Sequence, residues 1–181
     1  MKAERSLKAR ALQLLAQRDQ SRLELRRKLV RHARARHAAS APDDDPGAID
    51  AEVDAAAIAG EIDALLDWLE AHRFLSDARF AESRVHARAQ RFGVQRIRSE
   101  LAQHAVELSP ELAASLADSE LDRAGAVRAR RFAAPPGSAA ERAAQWRFLL
   151  GRGFSPEVVQ RVMRRLGRAD AGASEGTSSA D

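Results

Sequence analysis

Cysteine and tyrosine are absent from this 181-residue chain, and aromatic side chains make up only 4% of it. Without cysteine, the chain can form no disulfide, no thiolate zinc site and no cysteine nucleophile. No apolar run approaches the roughly 18 residues that a membrane span needs, and no apolar signal-peptide core follows the basic N-terminus. We therefore expect a cytoplasmic protein that does not enter a membrane.

The residue patterns of common enzymes are also missing. None of the five histidines pairs with another at the i, i+4 spacing, beside a glutamate, that zinc proteases use. There is no glycine-rich phosphate loop and no Gly-x-Ser-x-Gly nucleophile elbow. We predict that the chain is not an enzyme and holds neither a metal nor another cofactor.

Basic and acidic side chains alternate in blocks along the chain, although its net charge is only +4. Residues 1–40 contain 12 basic and 3 acidic side chains, whereas residues 41–78 contain 1 and 11. Residues 123–168 contain 11 basic and 2 acidic side chains. These blocks could form separate charged faces on one folded body, or they could pair with each other inside it.

Alanine, leucine, arginine and glutamate dominate the composition, which predicts a helical protein. The stretch 74–106 indicates two helices that meet at Phe92-Gly93, the first capped by Ser76 and the second with apolar residues at 3/4 spacing. Similar helix starts, with serine before or at the first turn, occur at Ser21, Ser109, Ser138 and Ser155.

Two segments lack this helical pattern. The pattern weakens over residues 33–49, and an acidic insert with proline and glycine at about 40–48 predicts a solvated loop. Residues 169–181 are acidic and rich in glycine, serine and alanine, so we predict a disordered tail.

A degenerate threefold repeat organises the helices. Leu29-x-x-His32-Ala33, Leu101-x-x-His104-Ala105 and Leu149-x-x-Arg152-Gly153 align at offsets of 72 and 48 residues. One such three-helix unit is too small to bury its own apolar faces, so neighbouring units are expected to stack. The predicted fold is all-α, with three tandem three-helix repeats stacked into an elongated, curved body. The predicted boundaries are 5–73, 74–117 and 118–167.

Four motifs stand out within residues 5–167. They are Ser21-Arg-Leu-Glu-Leu-Arg-Arg-Lys-Leu29, Leu75-Ser-Asp-Ala-Arg-Phe-Ala-Glu82, Gly93-Val-Gln-Arg-Ile97 with Leu101, and Phe148-Leu149-x-x-Arg152-Gly-Phe-Ser155. By their order and spacing together, the four motifs resemble those of RecX-type regulatory proteins, the modulators of the bacterial RecA recombinase.

The resemblance implies a monomeric protein that binds the RecA–single-stranded DNA filament and mostly inhibits its ATPase, its extension and strand exchange. It also implies contact with single-stranded DNA, within the filament or weakly by itself. Arginine and lysine contacts to phosphate suit such a partner. Arg79 is the leading candidate for partner binding. The other candidates are Arg26, Arg27, Lys28, Arg84, Arg88, Arg91, Arg96 and Arg98.

The alternative is a helix-turn-helix-like module that binds nucleic acid without RecA. Two features of the sequence speak against it. The arginines are spread over three units rather than gathered on one recognition helix, and no aromatic platform for stacking single strands is visible.

Overall fold

The structure is a computed structural model that describes residues 6–40 and 48–175, with side chains described in 6–37 and 55–167. Every regular element in these ranges is an α-helix, as predicted, and none of the helices is long and apolar enough to cross a membrane. The nine helices are α1 (Leu7–Gln17), α2 (Arg22–Ser40), α3 (Ala48–Ala71), α4 (Asp77–Ala89), α5 (Val94–Ala102), α6 (Pro110–Asp118), α7 (Glu120–Arg131), α8 (Ala139–Gly151) and α9 (Pro156–Glu175).

Serine side chains start five of these helices where the sequence predicts. In each case the hydroxyl oxygen accepts a hydrogen bond from the backbone N–H three residues later, which satisfies a donor that the first helical turn leaves free. The distances are 3.1 Å for Ser21, 3.2 Å for Ser76, Ser109 and Ser138, and 3.3 Å for Ser155. The carboxylate of Glu141 also reaches back past the cap, where it accepts from the N–H of Gly137 at 2.9 Å.

The described residues form two compact units. Of the described residues, the first unit contains 6–40, 48–80 and 104–106, and the second contains 81–103 and 107–175. In the first unit, α2 packs against both α1 and α3 around fully buried leucines and isoleucine. In the second, α7, α8 and α9 pack on each other around Leu149, Phe154 and Val159. The three predicted repeat boundaries stay predictions.

Local backbone conformation supports the alignment of the second and third repeats. Ala105 and Gly153 occupy equivalent positions at the 48-residue offset, and both have positive φ, 55° and 79° respectively. Such a left-handed residue ends a helical segment and favours glycine. Ala33, the corresponding residue of the first repeat, lies instead within α2, because α2 continues to Ser40.

Two predicted segments differ from the structure. The helical pattern weakens after residue 33, yet α2 extends to Ser40, because alanine and arginine dominate residues 33–40 and both favour helix even without an apolar stripe. The helix α9 likewise continues to Glu175, so residues 169–175 of the predicted disordered tail are helical. Residues 41–47 of the acidic insert and residues 176–181 lie outside the described ranges.

The start of α2 predicts a measurable acid sensitivity. Burial of Glu24 opposes its ionised form, but hydrogen bonds from Arg18 and Lys28 outweigh that effect and lower its pKa from 4.5 to about 2. We expect Glu24→Gln to lower the free energy of unfolding by about 1–2 kcal/mol at pH 7.

Because the folded-state pKa of Glu24 is the lower one, its stabilisation is complete above about pH 5 and is lost as the pH falls toward 2. Urea unfolding of the wild type and of Glu24→Gln across this range measures the difference. A gap between the two proteins that stays constant down to pH 2 would contradict the assignment.

Candidate functional site

The turn at Phe92-Gly93, between α4 and α5, packs backbone to backbone against the turn between α8 and α9. The N–H of Gly93 donates to the carbonyl oxygen of Arg152 at 2.9 Å, and the N–H of Gln95 donates to that of Gly153 at 3.1 Å. A Cβ at Gly93 would lie 2.2 Å from the Gly153 oxygen, which explains why glycine stands there. The two turns are therefore held together by their main chains.

Gly153, in the turn between α8 and α9, lies close to the start of α5. A Cβ at this residue would lie 2.4 Å from the Cβ of Arg96, and its φ of +79° would strain any other residue. The absence of a side chain at Gly153 therefore allows the start of α5 to approach the α8–α9 turn. As a result, both Arg96 and Arg152 come within reach of the ring of Phe92.

Two polar side chains of α7 support this junction from within. A carboxylate oxygen of the buried Glu120 accepts from the N–H of Val94 at 2.9 Å, and so caps α5 from a different helix. Arg123 donates to the carbonyl oxygens of Ala89 at 2.7 Å and of Phe92 at 2.9 Å. These bonds fix the last turn of α4 and the backbone of Phe92.

Arg123 also reaches a third carbonyl group. Its Nη2 donates to Leu116 at 2.7 Å, in the last turn of α6. Burial lowers the pKa of Arg123, and the neighbouring carboxylate of Glu120 opposes this. Since an arginine guanidinium titrates so far above neutrality, it stays charged and its N–H groups stay donors.

Four guanidinium groups surround the half-buried ring of Phe92. The guanidinium carbons of Arg88, Arg91, Arg96 and Arg152 lie 5.4, 5.9, 4.9 and 5.5 Å from the ring centroid. These distances fall within the reach of cation–π attraction. We call these five residues the Phe92 cluster.

One carboxylate lies against the Phe92 cluster. Glu100 on α5 approaches Arg88 at 3.0 Å and Arg96 at 3.6 Å. Arg91 and Arg152 have no ion pair with a carboxylate among the residues that the structure describes. The cluster therefore has an excess of positive charge, although Glu100 already pairs with two of its guanidinium groups.

Three residues of this cluster, Arg88, Arg91 and Arg96, are among the nine predicted partner-binding residues, and the structure brings them together. Arg152 was not predicted, although it is the residue that the repeat aligns with His32 and His104. Phe92 and Arg123 were not predicted either. Their roles depend on contacts between residues more than 30 positions apart, which no local spacing reveals.

Among the other predicted residues, three of the first unit have intramolecular partners. Arg26 forms a two-pronged contact with Asp63 at 2.6 and 3.0 Å, and Lys28 contacts Glu24 at 2.8 Å. The leading candidate, Arg79, donates to the carbonyl oxygens of residues 73 and 74 at 3.0 and 3.1 Å. It also lies 3.5 Å from a carboxylate oxygen of residue 19. Part of the basic surface of α2 is thus matched by the acidic face of α3.

The remaining three predicted residues lie on three different helices. Arg27 is exposed on α2, and Arg84 is half-buried on α4. Arg98 is exposed on α5, two positions beyond Arg96 and so about 200° around the helix from it. The partner-binding roles of Arg26, Arg27, Lys28, Arg79, Arg84 and Arg98 stay predictions.

An aromatic stack on the first unit was not visible in the sequence. The ring of Trp68 lies 4.0 Å from that of His72 and 5.8 Å from that of Phe74, with interplanar angles of 24° and 17°. The ammonium group of Lys8 lies 3.5 Å from the Trp68 ring, and Phe74 is 47% exposed. The Trp68 ring is already in contact with His72, Phe74 and Lys8, so the expectation that no aromatic platform is available to single strands stays a prediction.

Known proteins share both the sequence and the fold of this chain. Family models described as the second and third three-helix domains of RecX match residues 76–107 and 118–163. A crystal structure of RecX from Lactobacillus salivarius has a TM-score of 0.61 at 15% identity, covering 89% of this chain and 94% of that one. This likeness shows the fold, tandem helical domains included.

Several curated relatives carry the name Regulatory protein RecX, and two of them serve as examples. The one from Ralstonia pickettii is 45% identical over 160 residues, which cover 87% of this chain and 86% of the relative. The one from Ralstonia nicotianae is 46% identical over 161 residues, covering 88% and 87%. Because this similarity extends over most of both chains, the protein belongs to the RecX family.

Proposed function

We propose that this chain is a regulatory protein that binds the RecA–single-stranded DNA filament and mostly inhibits its ATPase, its extension and strand exchange. The observation that carries the proposal is family membership, since relatives named as regulatory proteins match nearly nine-tenths of the chain. Homologous recombination and DNA repair are the processes in which such a protein would act. The proposed place of action is the cytoplasm, and the proposed state is a monomer.

The Phe92 cluster supports this function physically. A RecA filament on DNA presents phosphates, and a cluster of guanidinium groups with unmatched charge is attracted to them. Long-range attraction of this kind speeds encounter and weakens with added salt. A regulatory role also fits the names of the relatives, none of which describes an enzyme.

The proposal is tested by adding the chain to RecA of the same bacterium with single-stranded DNA and ATP. We expect substoichiometric amounts to slow ATP hydrolysis and strand exchange several-fold, because a filament is a cooperative assembly that one bound molecule can interrupt. Inhibition should weaken as salt rises from about 50 to about 200 mM, because phosphate contacts exchange with counterions. Unchanged RecA activity at equimolar chain and low salt would show the proposal to be wrong.

The Phe92 cluster also keeps the second candidate function open, a module that binds nucleic acid without RecA. An arginine cluster of this kind can contact DNA phosphates whether or not RecA is present. Tight binding to a duplex with a preference for one base sequence, together with no effect on RecA, would favour this second function. Sequence preference needs base-edge contacts, which distinguishes it from simple phosphate binding.

A further inference from the structure

The Phe92 cluster holds more positive charge than its surroundings neutralise. Four guanidinium groups face one carboxylate, Glu100, so three positive charges are unmatched within the cluster. All four lie within 5.9 Å of one ring centroid, so no two of the guanidinium carbons are further apart than about twice that distance. Holding so many like charges together costs free energy unless an anion binds among them.

We propose that the Phe92 cluster is a binding site for the phosphodiester backbone of single-stranded DNA, with Arg91 and Arg152 as its main phosphate contacts. This inference rests on the proposed function, because it assigns one surface of the second unit to the DNA strand of the filament. The remaining contacts of the chain are then left to RecA itself.

The closeness of the arginines to the Phe92 ring suits them to this ligand. A guanidinium group near an aromatic ring uses its flat face for the ring and keeps its N–H edge for hydrogen bonds. That edge fits two oxygens of one phosphate, and a side chain already held near a ring loses less conformational entropy when it binds. Arg152 contacts two rings, since its guanidinium carbon also lies 5.1 Å from the centroid of Phe148.

The number of unmatched charges favours a DNA strand over an acidic protein surface. A strand presents one negative charge at every nucleotide, so a short segment supplies several phosphates in a row. An acidic protein patch would have to bring about three carboxylates equally close together, at a cost in mutual repulsion. Phosphates are the same at every nucleotide, so recognition through the guanidinium groups should be independent of sequence.

Glu100 acts as an internal competitor in this site. Its carboxylate lies 3.0 Å from Arg88 and 3.6 Å from Arg96, in the place that a phosphate would take. Removing its charge frees both guanidinium groups for the ligand. A substitution that raises affinity is informative here, because a variant that merely unfolds cannot bind more tightly.

The experiment measures binding of the full chain to a fluorescent oligo-deoxythymidine over a salt series, without RecA. For the double variant Arg91→Gln/Arg152→Gln we expect at least several-fold weaker binding. The slope of log affinity against log salt should be shallower by about 0.7 for each phosphate that the variant no longer neutralises, or about 1.4 in all. Glu100→Gln should bind several-fold more tightly. Arg165→Gln removes one exposed guanidinium group that already pairs with Asp122 at 3.0 Å, and should leave the slope nearly unchanged.

Three results would overturn the inference: an unchanged salt slope in the double variant, equal losses in that variant and in Arg165→Gln, or no binding by the wild type at low salt. RecA ATPase, assayed on the same proteins, separates this inference from the proposed function. If the double variant binds the oligonucleotide normally but no longer inhibits RecA, the cluster is a protein contact and the proposed function stands. If the wild type binds the oligonucleotide through the cluster yet leaves RecA unaffected, the proposed function fails alone.

Discussion

Gly93→Ala is expected to lower the free energy of unfolding by about 3 kcal/mol, a large effect for the addition of one methyl group. The added Cβ would lie 2.2 Å from the carbonyl oxygen of Gly153 and 2.3 Å from the nitrogen of Phe154. Both are backbone atoms, which cannot rotate away as the end of a side chain can. The clash can be removed only if the α4–α5 and α8–α9 turns move apart. That movement breaks the hydrogen bonds that join the two turns.

Gly151→Ala is the matched control, because it also adds one methyl group to a glycine. Gly151 lies only two residues before Gly153 in the chain. Gly151 ends α8 with no atom within 4 Å of its missing Cβ, so alanine should stabilise the helix by up to about 1 kcal/mol. Urea unfolding followed by circular dichroism measures both variants. Equal midpoints for Gly93→Ala and the wild type would mean that the two turns are not in the contact described.

The helices could be predicted from the sequence because the information for them is local. A serine hydroxyl and the N–H three residues later are neighbours in the chain, so the caps at Ser21, Ser109 and Ser155 can be recognised by spacing alone. The repeat offsets carry similar local information, and the equivalence of Ala105 and Gly153 follows from them. The family resemblance rested on these same short motifs.

The partners of the charged residues could not be predicted in this way. Arg79 stands in the most characteristic motif, and the sequence favoured it as a contact for a partner. Its guanidinium group donates to the carbonyl oxygens of Arg73 and Phe74, where it stabilises the turn after α3. Only the folded turn brings these carbonyl groups to face the arginine. Exposure and charge can be read from a helical pattern, but hydrogen-bond partners depend on tertiary structure.

The Phe92 cluster also could not be predicted from the sequence, because it depends on tertiary contacts. The sequence placed Phe92-Gly93 at a joint between helices and Gly153 at a helix end, and both positions are confirmed. It could not show that the two glycines meet, because 60 positions separate them and only the packing of the second unit joins them. In the sequence alone, Arg152 is one basic residue among many. The contact between the two turns places its guanidinium group 5.5 Å from the centroid of the Phe92 ring, beside those of the other three arginines.

Arg123→Gln is expected to lower the free energy of unfolding by about 3 kcal/mol. The guanidinium group of Arg123 donates to three carbonyl groups at 2.7–2.9 Å, those of Ala89, Phe92 and Leu116. Hydrogen bonds from a charged donor contribute about 1.5–3 kcal/mol each, and a shorter, neutral glutamine can replace only one of them. The carbonyl groups that lose the guanidinium donor lie in partly buried positions, so water replaces that donor incompletely.

The matched control is Arg165→Gln, which removes the same guanidinium group from an exposed site. Arg165 lies 3.0 Å from Asp122 with 63% of its side chain exposed, so its loss should change stability by no more than about 0.5 kcal/mol. Thermal unfolding, checked against urea unfolding, measures both variants, and equal small losses would contradict the role of Arg123. Because Arg123 holds the Phe92 carbonyl in place, folded Arg123→Gln should also bind the oligonucleotide more weakly than Arg165→Gln. That difference would connect a buried residue of α7 with the surface that we assign to the DNA strand.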